Sequence, residues 1–288
     1  MSRKMRLYSI VLLGLILSTS SAIAQLNNDI RIIIRGDDIG CAHAVNLACI
    51  KSYKHGIMQS VEMMAPTAWM NEAVTLLNEN TGLDVGIHLT LTSEWDRVKW
   101  GPVSHAPSLV DENGYFHLTT RQRAGSPPNT GFLDANPILS EVERELRAQI
   151  EMGVRRVPHI SHLSTHMGTS VATPELKAIV DKLSREYGLP WQVPGAERLP
   201  FRFVKTDSPQ AKEAAFVEML KTLQPGLWLF VEHPGLDTPE MEAMGHEGYM
   251  NVGEDRAGVT HVFTSDKVQQ VISDRGIQLV SYRDVLEK

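Results

Sequence analysis

The 288-residue chain carries 28 Lys and Arg against 34 Asp and Glu, a formal net charge of −6 at pH 7, and 42 % of its residues are hydrophobic. That is the balance of an ordinary globular protein, and the absence of any basic run makes nucleic acid a poor partner. The only cysteines, Cys41 and Cys49, would stand about 12 Å apart on one helix, beyond the roughly 7 Å a disulfide spans, and are read as core thiols.

Arg3, Lys4 and Arg6 precede an apolar run over residues 10–17, and Ala22-Ile23-Ala24 precedes Gln25. A basic leader, a short apolar core and an A-x-A site together make a secretory signal peptide over residues 1–24. The core is short for a bilayer span of about 20 residues. No second long apolar segment follows, so residues 25–288 are expected to be exported, to the periplasm or beyond, with no membrane span after processing. That length fits one large domain.

Strand-like and helix-like segments then alternate. Residues 30–34 read as a buried strand, 43–54 as a helix stopped by Gly56, 58–64 as a strand, 68–78 as a helix closed by Gly82, and 84–90 as a strand alternating around His88. Residues 92–136 break the rhythm. They are rich in Pro, Gly, Trp and Ser and too long for a simple connection, and they read as an inserted loop or lid; Trp95, Trp100, Tyr115 and Phe116 argue against a disordered excursion. Alternation resumes with a helix at 137–152, a strand at 157–163, a helix at 174–187 behind Thr173 as N-cap, a short strand at 191–193, a helix at 209–223, an apolar strand at 227–231, a helix near 266–273 and a strand at 277–281. About seven strands separated by helices imply a parallel sheet of α/β class. In this length they suggest a (β/α) barrel, seven-stranded or a distorted TIM barrel, with a doubly wound open sheet as the alternative.

In such barrels the chemistry gathers where strands end at their C-termini, and the unusual residues do so here. Asp37 and Asp38 end the first strand, His88 lies late in the third, His162 and His166 follow the fourth, and Glu232 and His233 end the sixth. Each alone has a plain reading. The aspartates suit a helix cap, His88 a satisfied core position, His162 and His166 one helix face or a loop, and His233 before Pro-Gly a turn. Together, carboxylate and imidazole from separated segments form a set that zinc and other divalent ions accept, and a cation would explain how adjacent carboxylates share a strand end. His43, His55, His105, His117, His246 and His261 lack a strand-end context and read as surface or packing residues. Glu62, placed inside a strand by its pattern, requires a partner that sequence does not name.

At this point the chain resembles the YdjC/ChbG-type carbohydrate deacetylases over nearly its whole mature length. "IIIRGDDIGCAHAVNLACIKSYKHGI" is similar to that family's opening strand, Asp-Asp turn and following helix, "DVGIHLTLT" to its G-x-H-L-x-L-T strand, "EHPG" to its late H-P-G motif and "IQLVSYRDV" to its closing strand and helix. In "SHLSTHMG" Ser164 stands where the family commonly has aspartate. The resemblance implies a divalent metal, zinc or magnesium, on Asp38, His88 and His166, with Asp37 as general base and His233 as acid or oxyanion partner. His162 and Arg256 become candidates for substrate contact or support behind the ligands, although a surface salt bridge also accounts for Arg256. The implied activity is removal of an acetyl group, N-acetyl foremost, from an amino sugar or oligosaccharide. A non-catalytic carbohydrate-binding protein on the same scaffold, and a glycoside hydrolase using Glu232 with Asp37 or Asp38, are the rival readings. Homo-oligomerisation is left open.

Overall fold

Ile32, Ile33 and Ile34 are all fully buried, which a strand can satisfy only when both its faces are covered. They lie in β1, Ile30–Ile39, near the middle of a seven-stranded sheet. A computed structural model describes residues 29–128 and 130–286; the leader read as a signal peptide lies outside the described residues. The elements run in chain order as β1, α1 (His43–Lys54), β2 (Ser60–Met63), α2 (Met70–Glu79), β3 (Asp84–Leu89), α3 (Leu139–Arg156), β4 (Ile160–Thr165), α4 (Pro174–Tyr187), β5 (Ala196–Arg198), α5 (Pro209–Thr222), β6 (Gly226–Glu232), α6 (Pro239–Glu242), α7 (Val252–Phe263), α8 (Asp266–Asp274), β7 (Gln278–Leu279) and α9 (Tyr282–Leu286).

Among the described residues the strands of this sheet pair in parallel, in the order β4-β3-β2-β1-β6-β5. β7 pairs with β1 at Arg31 and Ile32, below the point where β2 takes over at Arg35. The sheet curls into a barrel left open between β4 and β5, an α/β barrel-like fold. Ile32 and Ile34 pack into the large core shared with the helices, whereas Ile33 joins Leu227 and Tyr282 in a smaller inner cluster. Alternation along the strand therefore puts Ile33, Arg35 and Asp37 on the inner face.

Several helix ends follow from local sequence. Thr173, Ser208 and Ser265 each accept a hydrogen bond from the backbone N–H three residues on, capping α4, α5 and α8. Two expectations need correction. The short strand expected at 191–193 forms instead at Ala196–Arg198, beyond Pro194; Trp191 is held on the helix layer, its indole donating to Asp181 of α4 at 2.8 Å. No helix was expected at Val252–Phe263, whose glycines and β-branched residues have poor helix propensity. It forms because it packs closely: a side chain at Gly258 would collide with the buried Lys212 stem of α5.

The segment over residues 92–136 is packed onto the body. Trp95, Trp100, Leu109, Phe116 and Phe132 are buried in it, and Tyr115 is exposed. Fully buried Glu145 of α3 accepts from the backbone of Val103 and Ser104 and from the Ser104 hydroxyl, at 3.0, 2.8 and 2.6 Å. A buried carboxylate saturated in this way anchors the loop to the scaffold. Cys41 and Cys49 are free and buried. Among the described residues no helix is long and apolar enough to cross a membrane.

Candidate metal centre at the barrel mouth

Strand alternation would send the side chains of Asp37 and Asp38 to opposite faces. The pairing of β1 with β2 is irregular between Gly36 and Ile39, and Asp38 has φ 75°, a left-handed conformation that aspartate tolerates better than most residues. This break turns Asp38 to the same rim as Asp37, and both are buried. Each is then held differently. Arg35, two residues back on the inner face, grips Asp37 with two parallel hydrogen bonds, Nε to Oδ1 at 2.7 Å and Nη2 to Oδ2 at 2.9 Å. Arg256, from α7, donates to Asp38 Oδ2 at 2.9 Å.

The second oxygen of Asp38, Oδ1, is buried without a hydrogen-bond partner. It faces His88 Nε2 at 3.7 Å and His166 Nδ1 at 3.4 Å, and one ligand atom from each of the three residues lies within 4.8 Å of the others. Ligands at about 2.0–2.1 Å around a tetrahedral zinc stand about 3.3 Å from one another, close to the two measured separations. An orphaned carboxylate oxygen turned toward two imidazole nitrogens is the arrangement a cation satisfies, so the residues present fit a divalent metal.

The charges agree. Burial alone would lift the Asp38 pKa, but the facing His233 and Arg256 hold it well below the ordinary carboxylate range. Burial raises Asp37, against the pull of Arg35. Neighbouring carboxylates with pKa values driven apart can take different roles. Burial, with His166 beside it, pushes His88 down to about 3, keeping it neutral. At His166 burial opposes the charge, yet Glu94 and Asp38 outweigh it and hold the pKa up at about 10. Without metal, a proton on His166 occupies part of the electrostatic place of a cation.

Behind the ligands, register decides who meets whom. Glu62 of β2 lies opposite Gly86 of β3, Gly86 opposite His162 of β4, and His88 opposite Ser164. Glu62 finds here the partners its burial requires: His162 Nε2 at 2.7 Å, the Ser164 hydroxyl, and Arg35 Nε at 3.7 Å. Gly86 is needed in this row because a Cβ there would run into the Glu62 carboxylate and the His162 ring. His162 lies within β4, is fully buried and stacks on Tyr282 at 3.8 Å; it makes no contact with the cleft and supports the centre from beneath. Arg256 is likewise no surface ion pair, being 3 % exposed against Asp38.

The centre opens into a cleft of about 1180 Å³. His233 Nε2 stands 3.9 Å from Asp38 Oδ2 on a half-exposed side chain, and burial of its surroundings lowers its pKa. The loop over 92–136 supplies Glu94, which accepts from His166 Nε2 at 2.9 Å. It also supplies Trp95, over which the Arg256 guanidinium lies at 5.4 Å. His246, expected at the surface or in packing, lines this cleft and stacks on Trp95 at 5.8 Å, and His117 is buried. The sequence did not mark Arg35 or Glu94 as members of the site, and it marked Ser164 only as a departure from the family's aspartate. Of Arg35 and Glu94, Arg35 carried a readable signal, its spacing of two from Asp37 on a strand.

The family model for YdjC-like proteins matches residues 31–274. A carbohydrate deacetylase of Thermus thermophilus is 32 % identical over 235 residues, covering 74 % of this chain and 80 % of its own. Carbohydrate deacetylase 1 of Listeria innocua is 27 % identical over 264 residues, 88 % of this chain and 100 % of its own. Among solved structures, a proposed cellobiose-phosphate cleavage protein from Enterococcus faecalis V583 superposes with a TM-score of 0.69 at 22 % identity, over 89 % of this chain and 98 % of that one. That likeness concerns the fold.

Proposed function

Because this chain belongs to the YdjC-like family, we propose that it is a carbohydrate deacetylase that hydrolyses the N-acetyl group of an amino sugar or oligosaccharide, with a divalent cation held by Asp38, His88 and His166. The observation that carries the reading is the buried, unpartnered Asp38 Oδ1 facing both imidazoles. Two nitrogens and one oxygen suit zinc better than magnesium, which prefers all-oxygen sites. A bound cation of this kind polarises the acetyl carbonyl and lowers the pKa of the attacking water.

The protein's own groups do the rest. Arg256 occupies Asp38 Oδ2 and leaves Oδ1 for the cation. Asp37, fixed by Arg35 and raised in pKa by burial, is placed to take the proton from the attacking water. His233, its pKa lowered by burial, stands on the far side of Asp38 at the open cleft, where it can relay a proton to the nitrogen as the C–N bond breaks. Acetate and a free amine leave. The cleft, walled by Trp95, Tyr249 and Phe203, offers the aromatic surface a sugar ring stacks on. The leader over residues 1–24 supports an exported enzyme whose substrate lies outside the cytoplasm.

In the glycosidase alternative Glu232, pushed up to about 7 by burial, would act as the acid opposite Asp37 or Asp38; against it, Asp38 is tied to the buried Arg256 and turns its free oxygen to two imidazoles.

The test is acetate release from N-acetylated chito-oligosaccharides by protein stripped of metal and then reloaded with zinc. Acetate should appear only in the reloaded sample. Reloaded protein that binds zinc yet frees no acetate from a panel of N- and O-acetylated sugars would overturn the activity; tight sugar binding unchanged in Asp37→Asn would then favour the carbohydrate-binding alternative, and new reducing ends without acetate the glycosidase.

A further inference from the structure

Ser164 stands on β4 beside His88, at the position where the resembling family commonly carries aspartate. Its hydroxyl lies 2.7 Å from His88 Nδ1 and also contacts Glu62 Oε2. All three residues are buried, Glu62 completely. A hydroxyl owns one hydrogen and an ionised carboxylate can only accept. The Ser164 hydrogen therefore points to Glu62, and its oxygen must accept from His88 Nδ1–H. That fixes the tautomer: Nδ1 carries the proton, and the bare Nε2 faces Asp38.

Glu62 is equipped to stay ionised in this role. His162 Nε2 lies at 2.7 Å from its Oε1 and Arg35 Nε at 3.7 Å. Although burial works the other way, His162 and Arg35 bring the Glu62 pKa down to about 2. Arg35 touches both this carboxylate and Asp37, so one guanidinium ties the support of His88 to the neighbouring base.

We propose that Glu62 and Ser164 form a two-residue relay that positions His88 as a metal ligand, the carboxylate sitting on β2 and reaching the imidazole through the Ser164 hydroxyl. Such outer partners orient the ring and raise its basicity, and losing one typically weakens metal binding about 10–100-fold. Neither residue lines the cleft; both act through His88. The inference rests on the metal-centre reading of the site.

The experiment measures zinc dissociation constants by competition with a chromophoric chelator, together with the visible spectrum of the cobalt-loaded protein. Samples are the wild type, Ser164→Ala, Ser164→Thr and Glu62→Gln, with thermal midpoints in EDTA reporting folding separately. Ser164→Ala and Glu62→Gln should bind zinc about 10–100-fold more weakly with altered cobalt bands, while Ser164→Thr, which keeps a hydroxyl, should stay within a few-fold of wild type. If Ser164→Ala binds zinc as tightly as wild type, or if Ser164→Thr is as weak as Ser164→Ala while both fold, the relay is wrong and the metal centre survives. If wild type binds no zinc or cobalt, the metal-centre reading itself fails. Should Glu62→Gln not fold, the two Ser164 variants decide the matter.

Discussion

Replacing Arg256 by methionine removes one half of a buried ion pair and leaves the rest of the centre in place. Arg256 and Asp38 are 3 % and 2 % exposed and meet at 2.9 Å. Stripping one partner from a buried pair costs about 3–5 kcal/mol when the remaining charge is left uncompensated, and in EDTA the protonated His166, 3.4 Å from the other Asp38 oxygen, compensates it only in part. On the proposed metal-centre reading, that cost should depend on zinc. With zinc on Asp38 Oδ1 the carboxylate keeps a countercharge, and the loss shrinks toward that of one charged hydrogen bond, about 1.5–3 kcal/mol. At about 2–4 °C per kcal/mol for a chain of this size, calorimetry should show the variant melting about 6–20 °C below wild type in EDTA and by clearly less in excess zinc. A large and equal fall in both conditions would mean that no cation neutralises Asp38. A fall below about 2 °C in EDTA would mean that Arg256 is not its counterion.

Zinc uptake at pH 7–9 should release at least one proton, since binding requires neutral imidazole and His166 holds its proton to about pH 10, with zinc-bound water adding to the count; calorimetry in buffers of differing ionisation enthalpy counts it, and a count near zero would contradict the His166 assignment. The same shift has a stability consequence in the metal-free protein. The folded pKa of about 10 lies above the ordinary 6.5, so the contribution is complete below about pH 6.5 and fades as pH rises to 10; melting in EDTA should decline across that window and flatten in His166→Asn. Asp37→Asn should lower acetate release about 10²–10⁴-fold while leaving the zinc dissociation constant within a few-fold. Glu145→Ala, which strips three hydrogen bonds from residues 103 and 104, should speed hydrogen exchange there before any change at β1; unchanged exchange would show that Glu145 is not the anchor of the loop.

How far the residues announced their own positions follows from the range of the forces involved. The isoleucine run, the cap at Thr173 and the strand-helix alternation are local signals, and they read correctly as buried parallel strands and helices. Asp37, Asp38, His88, His166 and His233 were legible as a group because parallel strands present their C-terminal ends at one rim. The short pieces were harder. β5 is three residues long and takes its place from pairing with β6, and α7 owes its helix to glycine-allowed packing against α5, so local propensity had little to say about either.

The amino-acid order by itself thus determined the layered fold and the set of carboxylates and imidazoles delivered to the barrel mouth, since both depend on periodicity and on neighbours along the chain. Only the tertiary structure decided which groups stand behind them. Glu62 meets Ser164 and His162 through strand register, Arg256 reaches Asp38 across more than two hundred residues of chain, and Glu94 arrives on a loop anchored from α3. Such contacts are chosen by the pairing and packing of distant segments, and no local pattern encodes them.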